Sequence, residues 1–302
     1  MQKFIAIKNN QNDFNEVSSL NPPLGGRGAS LLQMADTTLI LSQRNAEWCG
    51  HGPILEQDIA ITNISLDLLG QARNFYQYAA LLINEGPNNL PGPKAPSPSE
   101  NLSRLFGRAG GEVTEDTLAY LRTEREFKNL LITELPNGDW AQTILRQFLF
   151  SVYQYGLYEQ LQKSDDGQLA AIAEKSIKEV TYHVRWSSEW VIRLGDGTEE
   201  SHQRMLKAIE NLWPYTGEFF MPADYENEEI TGFGLSSLKQ PWLEKVNNIL
   251  EEATLRSPSF GEGQGEAVFM HTGGKQGIHT EHMGFILAEM QYLQRTYPGA
   301  KW

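Results

Sequence analysis

The stretch from Leu39 to Leu82 constrains the fold more than any other part of the chain. It reads as the end of one helix, a tight Gly-His-Gly-Pro turn and a second long helix. The apolar residues after the turn recur with a helical rather than an alternating period. Pro53 lies just after the turn, where its missing N–H costs nothing, and so favours a helix start. The stretch therefore predicts two helices of a helical bundle.

Polar residues recur among these apolar positions, from Glu56 onward at steps of four or seven, so several of them should share faces with core residues. They are Glu47, Glu56, Asn63, Asp67 and Asn74. Carboxylates that point into a helical bundle indicate either a metal site or a paired structural network. The choice between these two decides the function.

The composition excludes several classes of protein. Of the 302 residues, 40% are hydrophobic and 21% are charged, which supports a sizeable core and argues against global disorder. A net charge of −13 argues against nucleic acid as the main partner. The single cysteine, Cys49, excludes an intramolecular disulfide, and we interpret it as a small buried apolar residue in a reducing compartment. With neither a membrane-length apolar run nor a signal-peptide core, the sequence predicts a soluble, cytoplasmic protein.

The chain divides into an irregular N-terminal arm, residues 1–27, and a single helical domain, residues 28–302. A Pro- and Gly-rich stretch at residues 84–113 is interpreted as a long surface loop, because helices of the same character resume after it. The predicted helices cover about 29–48, 53–85, 114–135, 140–162, 168–194, 199–213, 241–255 and 277–295. No segment alternates as a strand would, so the fold class is all-α.

The predicted helix at 114–135 carries two charges on its apolar stripe. Thr114 is a good N-cap residue for this helix, and acidic residues follow in the first turn. The stripe of leucines passes through Glu124 and Lys128. Both side chains are therefore candidates for burial.

Di-iron bundle proteins provide a template for the candidate site. Two of their helices each supply a Glu, and two supply a Glu-x-x-His whose i, i+3 spacing puts both side chains on one face. Here Gly70 stands three residues after Asp67, and Tyr182 stands three residues after Glu179, with His183 one position later. Neither Glu-x-x-His is intact.

We therefore predict a metal-free remnant of such a site, held together by ion pairs and hydrogen bonds. Lys128 would bring a positive charge to the place where two cations should lie, and a buried ammonium can offset the same carboxylates. The predicted cluster is Glu47, Asp67, Glu124, Lys128, Glu179 and His183. The alternative is a metal site that uses the five of these residues other than Lys128 as a reduced ligand set. His279 and His282, spaced i, i+3 on the last helix, are interpreted as packing residues with polar edges.

Three long stretches resemble one protein family. They are EWCGHGPILEQDIAITNISLDLLGQARNFYQYAA, IKEVTYHVRWSSEWVIRLGDGTEESHQRM and GKQGIHTEHMGFILAEMQYLQRTYPGAKW. They are similar to the PaaC family, the C subunits of bacterial phenylacetyl-CoA epoxidases, and the resemblance spans residues 39–302. It implies a ferritin-like helical fold and a place in a multicomponent monooxygenase of phenylacetate degradation.

The resemblance also implies a role for each subunit of the complex. A PaaA-like subunit would hold the di-iron centre, and this chain would be its non-catalytic scaffold, with no metal, cofactor or catalytic residue of its own. A small PaaB-like subunit would join the two, and a PaaE-like reductase with flavin and an iron–sulfur cluster would supply electrons from NADPH. We expect a hetero-oligomer, or a homodimer when the chain is alone. The competing hypothesis is a ferritin-like oxidase or oxygenase that binds its own metal.

Overall fold

The fold of the described residues is built from helices and loops, as the all-α prediction requires. The structure is a computed structural model, and it describes residues 26–85, 113–226, 232–258, 269–297 and 300. The predicted arm, up to residue 25, and residues 86–112 of the predicted loop lie outside these ranges. Within them there is no strand, and no helix is long and apolar enough to cross a membrane.

Nine α-helices form within the described ranges. They are α1 (Gly26–Ala46), α2 (Leu55–Glu85), α3 (Glu115–Tyr120), α4 (Trp140–Leu161), α5 (Gly167–Gly195), α6 (Glu199–Leu212), α7 (Lys239–Glu252), α8 (Glu281–Met290) and α9 (Tyr292–Thr296). Helix α1 begins at Gly26, so the last two residues of the predicted arm belong to this helix. Side chains that accept hydrogen bonds from free backbone N–H groups cap several of these helices. The capping residues are Thr114, Asp139, Asp166, Thr198 and Thr280.

Two antiparallel helix pairs form the centre of the molecule. Short turns join α1 to α2 and α4 to α5, and the two helices of each pair pack along their length. Helix α2 also packs on α5, while α6 and α7 cover the outside of the α4–α5 pair. This is the arrangement of a four-helix bundle in which one long connection, between Glu85 and Trp140, joins the two pairs.

The predicted helix at 114–135 is wrong beyond its first two turns. After α3 the chain forms only two 3₁₀ turns, Glu124–Glu126 and Leu131–Thr133. The reason is a competition for backbone donors. The N–H of Lys128 donates to Asp36 Oδ2 at 2.8 Å, and the N–H of Leu131 donates to Glu218 Oε2 at 2.8 Å. Buried carboxylates on other elements therefore take the N–H groups that a continuous helix would use.

The last predicted helix is also shorter and divided. It begins at Glu281 rather than near residue 277, and it breaks at Gln291 into α8 and α9. The Gln291 side chain is buried, and its amide donates to the carbonyl oxygen of Arg122 at 2.9 Å. The break therefore lies where the C-terminal helices are joined to the segment after α3.

Candidate functional site

The six residues of the predicted cluster do not come together. Glu47 lies just beyond the end of α1, is partly exposed, and pairs with Arg44 at 2.7 Å and with the Asn137 amide at 2.9 Å. Glu124 opens a 3₁₀ turn and is exposed. Neither carboxylate points into the bundle, so the prediction that both belong to a central site is wrong.

Lys128 is buried as predicted, but it does not neutralise the expected carboxylates. Its ammonium lies 4.9 Å from the centre of the Tyr225 ring, a cation–π arrangement. Burial lowers the pKa of Lys128, and the negative charge of Asp36 acts in the opposite direction. The hydrogen bond from Lys128 to Asp36 comes from the backbone and not from the ammonium.

Asp67 and His183 are the two members of the cluster that the structure brings together. His183 is fully buried, and its Nε2 lies 3.0 Å from Asp67 Oδ2, while the Asp67 side chain is about one-third exposed. The other ring nitrogen, Nδ1, has no hydrogen-bond partner among the described residues. One turn along the same pair of helices, Glu179 accepts a hydrogen bond from the Gln71 amide at 2.8 Å. This places a carboxylate–imidazole pair and a carboxylate–amide pair side by side between α2 and α5.

The two positions interpreted as lost histidines face solvent. Gly70 is exposed, and a Cβ built on it would meet no atom within 4 Å. Tyr182 is 38% exposed. The physical reason is helix phase, because one residue of shift turns a side chain by about 100° around the axis. The positions three residues after Asp67 and Glu179 therefore lie along the rim of the bundle and do not point into its interior.

The register that does face the interior contains different residues. On α2 the fully buried i, i+3 pair is Leu68 and Gln71, and on α5 it is Val180 and His183. A Glu-x-x-His on each of these faces would require two carboxylates and two imidazoles. Three of those four positions hold leucine, glutamine and valine. Only the imidazole of His183 matches the template.

Amide side chains occupy the interior beside this register. Gln71 Oε1 accepts hydrogen bonds from Gln154 Nε2 at 2.9 Å and from the Tyr158 hydroxyl at 3.1 Å. Further along the bundle Asn45 donates to Gln147 at 2.7 Å. These neutral groups fill the space with hydrogen bonds and add no charge. Burial raises the pKa of Tyr158 well above its ordinary value, so its hydroxyl stays protonated.

A fully buried ion pair that the sequence analysis did not identify joins Asp36 of α1 to Arg122, just after α3. Asp36 accepts two hydrogen bonds from the Arg122 guanidinium and one from the Tyr76 hydroxyl at 2.5 Å. The signal was present in the sequence, because Asp36 stands four residues after Leu32 and four before Ile40, a spacing that puts all three side chains on one helix face. The pKa of Tyr76 is raised, first by burial and then by the charge of Asp36.

A second buried carboxylate, Glu134, holds the C-terminal segment. It accepts hydrogen bonds from the His279 ring at 2.5 Å, from the Thr280 N–H at 2.8 Å and from the Thr280 hydroxyl at 2.7 Å. The other His279 nitrogen lies 3.0 Å from the carbonyl oxygen of Phe127. His279 is thus fully engaged with the protein, in line with its interpretation as a packing residue, and His282 is only partly buried.

The glycine-rich segment before α8 approaches the bundle closely. Glu218 accepts hydrogen bonds from the N–H groups of Gly273 at 2.9 Å and Gly274 at 2.8 Å. A Cβ on Gly274 would collide with the carbonyl oxygen of Asn129. Next to it, Lys275 is buried and pairs with Glu226 at 2.9 Å. Glycine is needed here for backbone contact.

These residues do not fit a di-iron centre. Within the described ranges, no three His, Cys, Asp or Glu side chains converge as a metal site would require. Asp67 and His183 supply two groups, whereas a carboxylate-bridged metal pair draws on four helices.

Cys49 is exposed, so its interpretation as a buried apolar residue is wrong, and the structure places it in the turn between α1 and α2.

Fold and interior together define a class: a ferritin-like four-helix-bundle protein whose centre is filled by amides, apolar side chains and hydrogen-bonded ion pairs. The chain belongs to the family of phenylacetic acid catabolic proteins, which matches residues 27–302. It is also 45% identical to the C subunit of the 1,2-phenylacetyl-CoA epoxidase of Escherichia coli strain K12. That similarity extends over 277 residues, which are 91% of this chain and 98% of the Escherichia coli protein.

Proposed function

We propose that this protein is the non-catalytic structural subunit of a multicomponent phenylacetyl-CoA epoxidase that acts in phenylacetate degradation. Its work is to pair with a PaaA-like subunit that carries the di-iron centre, and to stabilise it. The relative from Escherichia coli, a C subunit of such an enzyme by name, supports the reaction and the assembly. A small PaaB-like subunit and a PaaE-like reductase with FAD, an iron–sulfur cluster and NADPH complete the proposed complex.

The observation that carries the non-catalytic role is the inward register of α2 and α5. Where a di-iron bundle needs two Glu-x-x-His pairs, the buried side chains are Leu68 and Gln71 on one helix and Val180 and His183 on the other. The alternative, an oxidase with its own metal, would rest on Asp67, His183 and the neighbouring Glu179, which already accepts a hydrogen bond from Gln71, because Glu47 and Glu124 lie elsewhere. No three metal-ligating side chains converge within the described ranges, which supports the scaffold in preference to the enzyme.

A surface of α2 supports the proposed pairing. Four large apolar residues, between 43% and 70% exposed, share one face of this helix: Leu55, Ile59, Leu66 and Leu69. We call this face the α2 stripe. Large apolar side chains exposed on one face of a helix are typical of protein–protein contact sites. In the proposed complex the stripe is covered by the catalytic subunit.

Co-expression with a PaaA-like subunit tests the proposal. Size-exclusion chromatography should show one complex, and metal analysis should find iron in that complex and none above background in the isolated chain. A matched complex in which the PaaA-like subunit has lost a ligand histidine should lose its iron, which assigns the metal to that subunit. Two irons per chain in the isolated protein would contradict the scaffold role, and separate elution at moderate salt would contradict the pairing.

A further inference from the structure

A large concave feature of the described surface lies away from the amide-filled interior. It is an open groove of about 670 Å³ between α4, α5 and α7. Its floor is formed by buried apolar side chains: Val152, Leu238, Trp242 and Ile249. Pockets of roughly 300–1,000 Å³ with predominantly apolar walls are typical of small-molecule sites.

A glycine keeps this groove open. Gly156 lies in the middle of α4, where glycine costs helix stability of about 0.5–1 kcal/mol relative to alanine. Its φ is not in the left-handed region, so the backbone does not require glycine here. A Cβ on Gly156 would meet only Leu238, at an ordinary 3.7 Å. The absence of a side chain at Gly156 leaves open space above the floor of the groove.

Two cations, Arg185 and Lys245, lie on the rim of the groove. No carboxylate of the described ranges forms an ion pair with Arg185 or Lys245, and the Arg185 guanidinium lies over the Tyr182 ring at 5.7 Å. The two acidic rim residues face other groups. Glu189 is within 4.0 Å of Arg193, and Glu159 lies beside the Tyr155 hydroxyl, whose pKa is raised first by burial and then by that carboxylate.

The wall contributes one further polar group. The Ser188 hydroxyl is buried, belongs to a residue that lines the groove, and has no hydrogen-bond partner among the described residues. An apolar floor, one unused hydroxyl and two cations on the rim complement a molecule with an apolar body and an anionic head.

We propose that the groove between α4, α5 and α7 is a binding site for a small amphipathic carboxylate, with its apolar chain on Trp242 and its head at Lys245 and Arg185. This site is separate from the α2 stripe and does not depend on the proposed function. A fatty acid anion is the simplest molecule of the required chemistry.

Calorimetric titration of the full chain with sodium dodecanoate, below its micelle concentration, tests the proposal. We expect one saturable site, with dodecyltrimethylammonium binding at least about tenfold more weakly, because Arg185 and Lys245 favour an anionic head and repel a cationic one. Gly156→Phe should fill the groove and weaken dodecanoate binding by about tenfold or more, whereas Gly156→Ala should leave it nearly unchanged. Lys245→Met should weaken binding by about three- to tenfold, and Lys175→Met, which removes an exposed lysine of α5 outside the groove, should not.

Other outcomes would overturn the proposal. These are equal binding by Gly156→Phe and the unaltered protein, equal affinity for the anionic and cationic amphiphiles, or no saturable binding. Ser188→Leu provides a second blocking variant from another helix, and the circular dichroism melting curve of each variant shows whether it folds. If no amphiphile binds but Gly156→Phe abolishes association with the PaaA-like subunit, the groove is a protein-docking surface and the assignment of a small molecule is wrong.

Discussion

At the scale of single residues, the stability of the bundle depends on buried charges that have partners. Asp36 is inaccessible to solvent, and its carboxylate is satisfied by Arg122, by Tyr76 and by the Lys128 N–H. Replacing a buried pair as a whole is tolerated far better than removing one partner, because removal leaves an uncompensated charge. The ion pair is therefore a place where one substitution should act strongly.

Arg122→Met should lower the free energy of unfolding by about 3–5 kcal/mol, because it leaves Asp36 buried without its cation. Urea denaturation monitored by circular dichroism measures this change. The control is Arg73→Met, which removes an exposed pair with Glu115 at 3.4 Å and should cost below about 1 kcal/mol. The double variant Asp36→Leu/Arg122→Met should recover part of the loss. A loss of below about 1 kcal/mol for Arg122→Met would show that the pair is not buried as described.

The His279–Glu134 contact should make stability depend on pH. Burial alone lowers the pKa of His279, but the hydrogen bond and charge of Glu134 and the carbonyl oxygen of Phe127 act more strongly, so the net pKa is raised above 6.5. The folded chain thus holds this proton more tightly than the unfolded chain does. The resulting stabilisation is complete below about pH 6.5 and is lost as the pH rises through the raised value.

Free energies of unfolding, measured at several values from about pH 5.5 to 8.5, test this dependence. The unaltered protein should lose stability across the upper half of that range more steeply than His279→Gln. The exposed His51 provides the control, since His51→Gln should keep the slope of the unaltered protein. Parallel curves for the unaltered protein and His279→Gln would show that this imidazole does not carry the pH dependence.

At the scale of elements, α2 has two unlike faces. Its inward face packs Leu68 and Gln71 in the bundle, and the opposite face presents the α2 stripe to solvent. Toward the C-terminal end the outer face turns polar, where Arg73 and Gln77 contact Glu115 of α3. The stripe is therefore confined to the first half of the helix, which limits where a partner can dock.

Leu66→Asp should disrupt the complex with the PaaA-like subunit and leave the isolated chain folded. Leu66 is 60% exposed in the free chain, so an aspartate costs little there, but an unpaired charge in an apolar interface is expensive. Leu81→Asp provides a matched control, because Leu81 is 48% exposed on the same helix about 22 Å further along. Pull-down of the tagged PaaA-like subunit should recover Leu81→Asp and lose Leu66→Asp. Equal recovery of both would show that the stripe is not the contact surface.

The long helices were predictable from the sequence because their signals are local. Apolar residues recur at helical spacing along α1, α2, α4 and α5, and most observed ends lie within two residues of the expected ones. The segment after α3 was not predictable in this way. Its helix is broken by carboxylates at Asp36 and Glu218, about 90 positions away in the chain, and no local pattern reveals them.

The candidate site was predictable only in part. The presence of polar residues between α2 and α5 was expected, and Asp67 and His183 do meet. The prediction of which residues face the interior was wrong, because it assumed that the carboxylates of Asp67 and Glu179 point inward. The fully buried residues are their neighbours Leu68 and Val180, and the residues three positions further on, Gln71 and His183, therefore also point inward. A periodic pattern locates the centre of an apolar stripe better than its edges. Residues at an edge can therefore be assigned to the interior although they lie at the rim of the bundle.

At the scale of the whole molecule, three regions of the chain meet on the bundle. The segment after α3, the turns around Glu218 and the stretch leading into α8 are joined by buried carboxylates, each of which accepts backbone N–H groups from another region. In a protein proposed to act by its shape, such cross-links keep loops in place that helix packing alone would not hold.

The contacts of Glu134 also determine the order in which parts of the chain can pack during translation. Its partners His279 and Thr280 lie 145 and 146 residues further along the chain. At a translation rate of about 5–20 residues per second, roughly 7–30 s pass between the synthesis of Glu134 and that of these two partners. Until then the carboxylate cannot be buried without the cost of an unpaired charge. The two helix pairs can form early, but the surface that α8 covers closes only after residues 279 and 280 have been synthesised, about 145 positions after Glu134.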